Sequence, residues 1–439
     1  MSEITGTTAA DLIEGTPLAD TVRTLGGADQ IRTLNGDDVV YLPDGDAQSS
    51  WGASIDGGEG NDTLDASGTT ANLRIVASGT PDFGIPVTAV NSMEHIIGGG
   101  GNDAIVMIFS QQGVTIDAGA GNDILAGGAG DDLLNGGSGT DVSVFLDMYR
   151  GTDIALTGGD GTISTASGGT DTLKSVEYTI FKDGTLTADP DSQAAQVVRL
   201  FQGLFARAPS ALELDNAAHQ LSHGTSLAGL INGLISSEDS LGIKSSSTNE
   251  TFVDTLYSGV LGRGADAGGK AYWLDALASG VTREQIVTGF TESAEFRSST
   301  ADHVGRGIFV TDEASQYVAS LFKAMSGHMP DQAGFDDWSA KLRLGALTSD
   351  QVAAGLADSK GWHTHTDALN NAELVDYMYK IGLGREADSG GRAYWIANLD
   401  AGMTDGQLIQ GFAASAEMQA LVAPDIHGGI AVQSDYFFG

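Results

Sequence analysis

The chain has 439 residues, with 21 Lys plus Arg against 58 Asp plus Glu and a formal net charge of −37. So acidic a surface repels nucleic acid and anionic lipid, and neither is an expected partner. Cysteine is absent, which excludes disulfides and thiolate metal sites, and no segment approaches the roughly 18 apolar residues of a membrane span. Hydrophobic residues make up 41%, so the chain is not simply disordered. Its 62 glycines lack the three-residue period of collagen and point to many tight turns.

The N-terminus, MSEITGTTAADLIEG, shows neither the basic stretch nor the apolar run of a cleavable signal peptide. The expectation is a cytoplasmic protein or one exported on a different signal. From Gly6 a nine-residue period begins. Asp11, Asp20, Asp29 and Asp38 are evenly spaced, and Ile13, Val22, Ile31 and Val40 each follow two places later. The pattern returns with Gly57, Glu59, Asn61 and Asp62, and again with Gly98, Gly100, Asn102 and Asp103. A tandem run then carries Ala118, Ala120, Asn122 and Asp123, followed by Gly127, Ala129, Asp131 and Asp132, and by Gly136, Ser138 and Asp141.

The chemistry of this period is specific. Glycine permits tight turns and leaves backbone carbonyls free to face an ion. The sixth-place Asp adds a charged oxygen, and the apolar eighth place sits on a short strand facing inward. Hard oxygen ligands of this kind suit calcium better than transition metals. An ordinary hairpin turn can also hold a Gly-Asp pair, but it does not demand a nine-residue repeat held over several units.

The segments GGEGNDTLD, GGGGNDAIV and AGAGNDILAGGAGDDLLNGGSGTD resemble the RTX (hemolysin-type) calcium-binding repeats, over roughly residues 6 to 189 with gaps. The resemblance implies a parallel β-roll filled by several Ca2+ ions, in a secreted protein. The first four nonamers keep the Asp and the apolar residue but lack most glycines, which leaves open calcium binding or a structural cap. Residues 66 to 95 and 142 to 166 lack the motif, and irregular or plain strand coils are expected there. Gly169 to Leu173, and on through Phe181 to Gly184, resembles the usual end of such modules.

Beyond Asp189-Pro190 the apolar spacing becomes helical, and one pattern recurs four times between about Ala194 and Glu417, with closing glycines Gly224, Gly280, Gly345 and Gly402. Each copy is expected to hold an amphipathic helix, a loop, a second helix with an aromatic pair, and a third helix. Ser210, Asp266, Asp331 and Asp388 precede the second helix. They are best read as N-caps, with a second calcium site as the alternative. Arg207, Arg263 and Arg385 align, with His328 in their place in copy three, and suit a role in holding the loop. Trp273, Trp338 and Trp395 are expected in the core. The motif LGRxxDxxGxxYW of copies two and four resembles the DUF4214 family, which is common in bacterial secreted and surface proteins. It implies location more than mechanism.

The sequence thus reads as a multidomain chain. An N-terminal parallel β-roll over 1–189 precedes an all-α repeat region of helical bundles in two units, 194–300 and 314–422. A tail, 423–439, ends in an acidic residue and an apolar run resembling the uncleaved signal of type I secretion, which would make that machinery a partner. Neither a zinc-protease HExxH nor a GxSxG nucleophile elbow occurs, and His363 and His365 lie two apart, on different sides of a helix. The chain is not expected to be an enzyme. The leading expectation is a secreted calcium-binding structural protein of a bacterial cell surface or matrix that self-assembles on calcium. The alternatives are an adhesin gripping cell-surface or matrix polysaccharide through the helical half, and a secreted enzyme of unrecognised type.

Overall fold

The computed structural model describes residues 2–43, 52–79, 87–236 and 247–433. Up to residue 144 the chain winds as a flattened coil whose short strands fall alternately into two sheets. One sheet stacks Glu3–Thr5, Thr21–Arg23, Val39–Tyr41, Thr63–Asp65, His95–Ile97, Thr115–Asp117 and Leu133–Asn135. The other stacks Leu12–Glu14, Gln30–Arg32, Ser54–Asp56, Thr88–Asn91, Arg74–Ala77, Ala104–Val106, Ile124–Ala126 and Val142–Val144. These neighbours pair in parallel, as the resemblance implied.

Three-residue strands follow from the period. Only the middle residue can face inward, so each coil contributes one apolar side chain per sheet. Val22, Val40, Leu64, Ile96, Ile116 and Leu134 stand in register in the first sheet, and all are buried in one core. Ile13, Ile31, Ile55 and Val90 do the same in the second. One irregularity interrupts the winding. Arg74–Ala77 pairs with Ala104–Val106 further along, and Thr88–Asn91 returns to fill the place beside Ser54–Asp56.

Residues 142 to 166 depart from the expected plain coils. Val142–Val144 is a parallel rung, but Asp153–Thr157 and Asp160–Thr165 form an antiparallel hairpin. Gly158 and Gly159, both at positive φ (63° and 92°), make its two-residue turn, the backbone that matches strand twist. Gly169–Lys174 joins this hairpin on one side and Leu133–Asn135 on the other. Tyr178–Phe181 and Gly184–Thr187 extend the second sheet, and its last strand, Ile308–Thr311, comes from far along the chain, between the helical copies. Tyr149 stacks on Phe309 with ring centroids 3.7 Å apart.

The helices repeat as four copies. They begin with Gln193–Phe205, Asn249–Gly259, Glu313–Ser326 and Asn371–Gly382; the second helices are Ala211–Ser222, Ala267–Ala278, Gln332–Arg343 and Ser389–Asp400. The expected single third helix is two helices in copies two to four. Arg283–Thr291 is followed by Ala294–Gly305, Ser349–Ala357 by Lys360–Thr366, and Asp405–Ala413 by Ala416–Ile426. The break has a local cause: Ser293, Ser359 and Ser415 each cap a new N-terminus, accepting the N–H three residues on. In copy one Leu227–Ile235 is the third helix, and 237–246 lie outside the described residues.

Ser210, Asp266, Asp331 and Asp388 are all N-caps, Ser210 with a complete capping box. Arg263 grips Glu295 and Arg385 grips Glu417, each by two hydrogen bonds across the loop. Trp273, Trp338 and Trp395 are partly buried against the two helical cores. From the proposed tail, 423–426 close the last helix. Residues 427–433 thread between the bodies: Arg150 bonds the carbonyls of Gly429 and Pro424, and Ile430 donates its N–H to Asp183. The apolar run expected to act in secretion, 434–439, lies outside the described residues.

Candidate calcium-binding turns

The turns joining the two sheets lie along two edges of the roll. On each edge an Asp side chain enters the next turn of its stack and accepts a main-chain N–H there. Along one edge Ser2, Asp20, Asp38 and Asp62 donate in turn to Asp20, Asp38, Asp62 and Glu94, at 2.6–2.9 Å. Along the other, Leu73, Asp103, Asp123 and Asp141 donate to Asp103, Asp123, Asp141 and Glu177, at 2.7–2.9 Å. A shorter run links Val114 to Asp132 and Asp132 to Asp171. Each link uses one carboxylate oxygen.

The second oxygen divides the turns into two kinds. In some it folds back onto the second residue of its own turn. The N–H groups of Thr7, Thr16, Gly99 and Gly128 donate to Asp11, Asp20, Asp103 and Asp132 respectively, and the Thr7 and Thr16 hydroxyls add a bond each. In four others it is buried without a partner: Oδ2 of Asp38, Asp62, Asp123 and Asp141. These four turns share a backbone, with positive φ at their second and fourth residues. The pairs are Leu34 and Gly36, Gly58 and Gly60, Gly119 and Gly121, and Gly137 and Gly139. That conformation turns the second N–H away from the carboxylate. Leu34 adopts it at φ 82° without being glycine, a strained choice for a branched side chain.

The open turns stack two by two. Asn35 bridges Glu59 on one edge, and Ala120 bridges Ser138 on the other. Gly36 donates to the Glu59 carbonyl and Gly121 to the Ser138 carbonyl. Position five forms a second, outer ladder. Asn61 donates its N–H to Asp37, Asn102 to Asn72, Asn122 to Asn102, Thr140 to Asn122, and Thr170 to Asp131. Four of the turns have no room for a side chain at position one. A Cβ on Gly57, Gly98, Gly127 or Gly136 would lie 1.8–2.8 Å from its own Asp Oδ2.

Electrostatics follow burial. Desolvation pushes Asp62, Asp103 and Asp141 up to about 6 and Asp171 to about 7, against the pull of the N–H donors, and neighbouring carboxylates push the same way. Desolvation pushes Asp20 up too, yet the bonds from Thr16 and Ser2 outweigh it and leave Asp20 below the usual range. An oxygen buried with neither donor nor cation is costly.

These residues fit calcium. Four orphaned carboxylate oxygens sit beside carbonyl-rich glycine turns, a hard-oxygen set. Among the described residues no group of three or more His, Cys, Asp or Glu side chains is placed to hold a metal ion by itself, so main-chain carbonyls would complete the shell. Asp62 and Asp141, with Asp38 and Asp123, would hold ions, and Asp103 and Asp132 would have to release an N–H first. Glu94 and Glu177 were missed from the sequence, and at Asp38 the sequence left calcium binding or a structural cap open. Asp38 sits in a turn with only one of the usual glycines, and the two Glu lie in collapsed turns outside the nonamer count.

A different cluster lines a cleft of about 840 Å³ between helical copies, where His219 and His223 lie 3.6 and 3.3 Å from the Glu313 carboxylate. Their four-residue spacing on one helix was the overlooked signal.

The RTX calcium-binding nonapeptide repeat family matches residues 14–46, 54–68 and 115–142, which hold all four open turns. The domain of unknown function DUF4214 matches 239–300, 309–366 and 361–422, which span copies two to four. No curated protein matches the chain. The chain is therefore built of RTX calcium-binding nonapeptide repeats on its N-terminal side and DUF4214 domains on its C-terminal side.

Proposed function

We propose that this is a secreted structural protein of a bacterial cell surface or extracellular matrix, which completes its roll on calcium and then assembles with copies of itself. The observation that carries the reading is the pair of stacked open turns on each edge, with their four buried, partnerless carboxylate oxygens. Calcium when bound supplies the positive charge these oxygens lack. Where calcium is scarce, the net charge of −37 and the entropy of a glycine-rich chain oppose folding, and the extended chain suits passage through a type I channel. At about millimolar calcium outside the cell even modest sites fill, and binding energy becomes folding energy.

Assembly finds support at the start of the roll. Among the described residues, Glu3–Thr5 and Leu12–Glu14 end their sheets with no further strand, and Leu12 and Leu18 are 83% and 65% exposed. An open edge with apolar side chains is a template for pairing with another chain. The helical half is proposed to work by packing rather than catalysis. Light scattering with circular dichroism during a calcium titration tests this. β signal and particle size should rise together, and a chain that gains β signal yet stays monomeric at saturating calcium overturns the assembly reading.

One observation favours a polysaccharide adhesin as the second reading. Trp273 and Trp395 are half buried, but their neighbours Tyr272 and Tyr394 are 66% and 59% exposed and packed edge-on against them. Such rings can stack on sugars. A glycan screen comparing the native chain with Tyr272→Ala/Tyr394→Ala supports this reading only if binding is lost with the rings.

A further inference from the structure

The two long Asp ladders end alike. Ser92-Met93-Glu94-His95-Ile96-Ile97 and Ser175-Val176-Glu177-Tyr178-Thr179-Ile180 share a pattern, Ser-x-Glu followed by a strand, which the nonamer does not contain. Both serines are left-handed without being glycine, at φ 48° and 49°, and Met93 and Val176 are buried. In both, the turn has collapsed to three residues, and the N–H groups of the Glu and its successor share one acceptor, the Asp62 or the Asp141 carbonyl. Glu94 Oε2 accepts the Asp62 N–H and Glu177 Oε2 the Asp141 N–H, each at 2.8 Å. A side chain one methylene longer than Asp reaches from a turn three residues shorter.

The Asp that each Glu holds is not ordinary. The last Asp of each ladder, fully buried, holds an oxygen with no partner. Beside it stands the carbonyl of the left-handed serine. A Cβ on Gly57 would meet Ser92 O at 2.1 Å and Asp62 Oδ2 at 2.5 Å, and one on Gly136 would meet Ser175 O at 2.4 Å and Asp141 Oδ2 at 2.5 Å. The turn before Glu94 also opens onto a cleft of about 410 Å³ lined by Gly58, Glu59, Gly60, Ser92 and Glu94. Carboxylate, carbonyl and second carboxylate thus gather at the same place in both ladders.

We propose that Glu94 and Glu177 are the terminal calcium ligands of two separate ladders, each holding a closing ion with Asp62 or with Asp141. The roll is then two calcium modules end to end, each stopped by its own Glu. This rests on the calcium reading of the open turns. A hydrogen-bond stop alone could use any acceptor, whereas the buried Oδ2 beside the serine carbonyl needs a cation to be satisfied.

The test is calcium counting by isothermal titration calorimetry on the full chain, stripped by chelator and followed by circular dichroism. Glu94→Gln and Glu177→Gln keep the acceptor for the Asp N–H but remove the charge. Glu14→Gln, on an exposed strand position, controls for net charge. Each ladder variant should bind one ion fewer than the native chain, or show one site weakened about tenfold or more, and the double variant should lose two. Unchanged count and affinities in both variants overturn the assignment. Loss of the β signal of a whole module at saturating calcium also overturns it, because the Glu would then be a structural stop. A native chain that binds no calcium sinks the calcium reading itself, a result separate from either outcome.

Discussion

Asp123 donates its main-chain N–H to Asp141 Oδ1 at 2.9 Å, while Asp141 Oδ2 is buried with no partner at all. One carboxylate therefore holds the next coil in place with one oxygen and carries an unmet need on the other.

Protons and calcium compete for that need. Burial raises Asp62, Asp103 and Asp141 to about 6, and Asp171 to about 7. Without metal, the folded roll binds more protons than the unfolded chain between the ordinary Asp range and these values. Its stability is therefore fully present in acid and is lost as pH rises through about 6 to 7. With calcium the sign reverses, because a bound ion displaces the proton. Below about pH 6 the apparent affinity should fall about tenfold per pH unit for each displaced proton. Circular dichroism at pH 5 and 8, with chelator and with calcium, should show opposite orders of β content.

The two kinds of turn should answer differently to Asp→Asn. Asp123→Asn removes a charge from an oxygen that has no donor, so it should weaken calcium binding about tenfold or more and raise the β content of the metal-free chain. The two Asp103 oxygens already hold one N–H each, from Gly99 and from Leu73, and Asp103→Asn replaces one of these acceptors by a donor. It should cost the metal-free roll about 1–3 kcal/mol and change calcium affinity less. Calcium titrations paired with melts in chelator separate the two. Equal effects would mean that the back-folded turns open on binding as readily as the others stand open.

Much of this was legible in the sequence, because a nine-residue period can be satisfied in few ways. One apolar residue per strand, with an Asp two places before it, marked Val22, Val40, Leu64 and Leu134 as inward residues of a repeating coil. The N-caps were equally local: Asp266 and Asp388 need only the N–H three residues on. Illegible was whatever depends on which coil stacks on which. The order of Thr88–Asn91 and Arg74–Ala77, and the arrival of Ile308–Thr311 in the roll, are set by long-range pairing that no period encodes. Glu94 and Glu177 escaped for a related reason. They replace a nonamer Asp by reaching across from a shortened turn, so counting by nines steps past them.

In the helical half, two kinds of ion pair should differ in strength. Arg199 is buried to 1% exposure, fully engaged with Glu292 at 2.9 and 2.6 Å and with the Pro190 carbonyl. Removing the cation leaves the partly buried Glu292 with only Arg297, 3.5 Å away, so Arg199→Met should destabilise the first helical unit by about 3 kcal/mol. Arg263 makes an equally well-formed pair with Glu295, but both are near half exposed. Solvent screens such a pair, so Arg263→Gln should cost clearly less than Arg199→Met. Urea melts followed by helix signal would rank them, and a similar loss from both would mean that solvent screens the buried pair as well.

The last strand of the roll gives a prediction about coupling between the halves. Phe309 belongs to the roll core, stacked on Tyr149, although its neighbours in sequence are helices of copies two and three. Around it the chain is fastened from several directions. Thr311 donates to the buried Asp215, which pairs with His427 Nδ1 at 2.6 Å, and Ile430 reaches Asp183. Phe309→Ala should cost about 3 kcal/mol or more by cavity formation, and the loss should not stay in the roll. With the junction intact, calcium added to the native chain should raise the melting temperature of the helical signal along with that of the β signal, because the bodies share a sheet and a core. In Phe309→Ala the two signals should separate, calcium moving only the β transition. Calorimetry with and without calcium reads this directly. A helical transition that ignores calcium already in the native chain would mean that the shared strand joins the halves without coupling their stability.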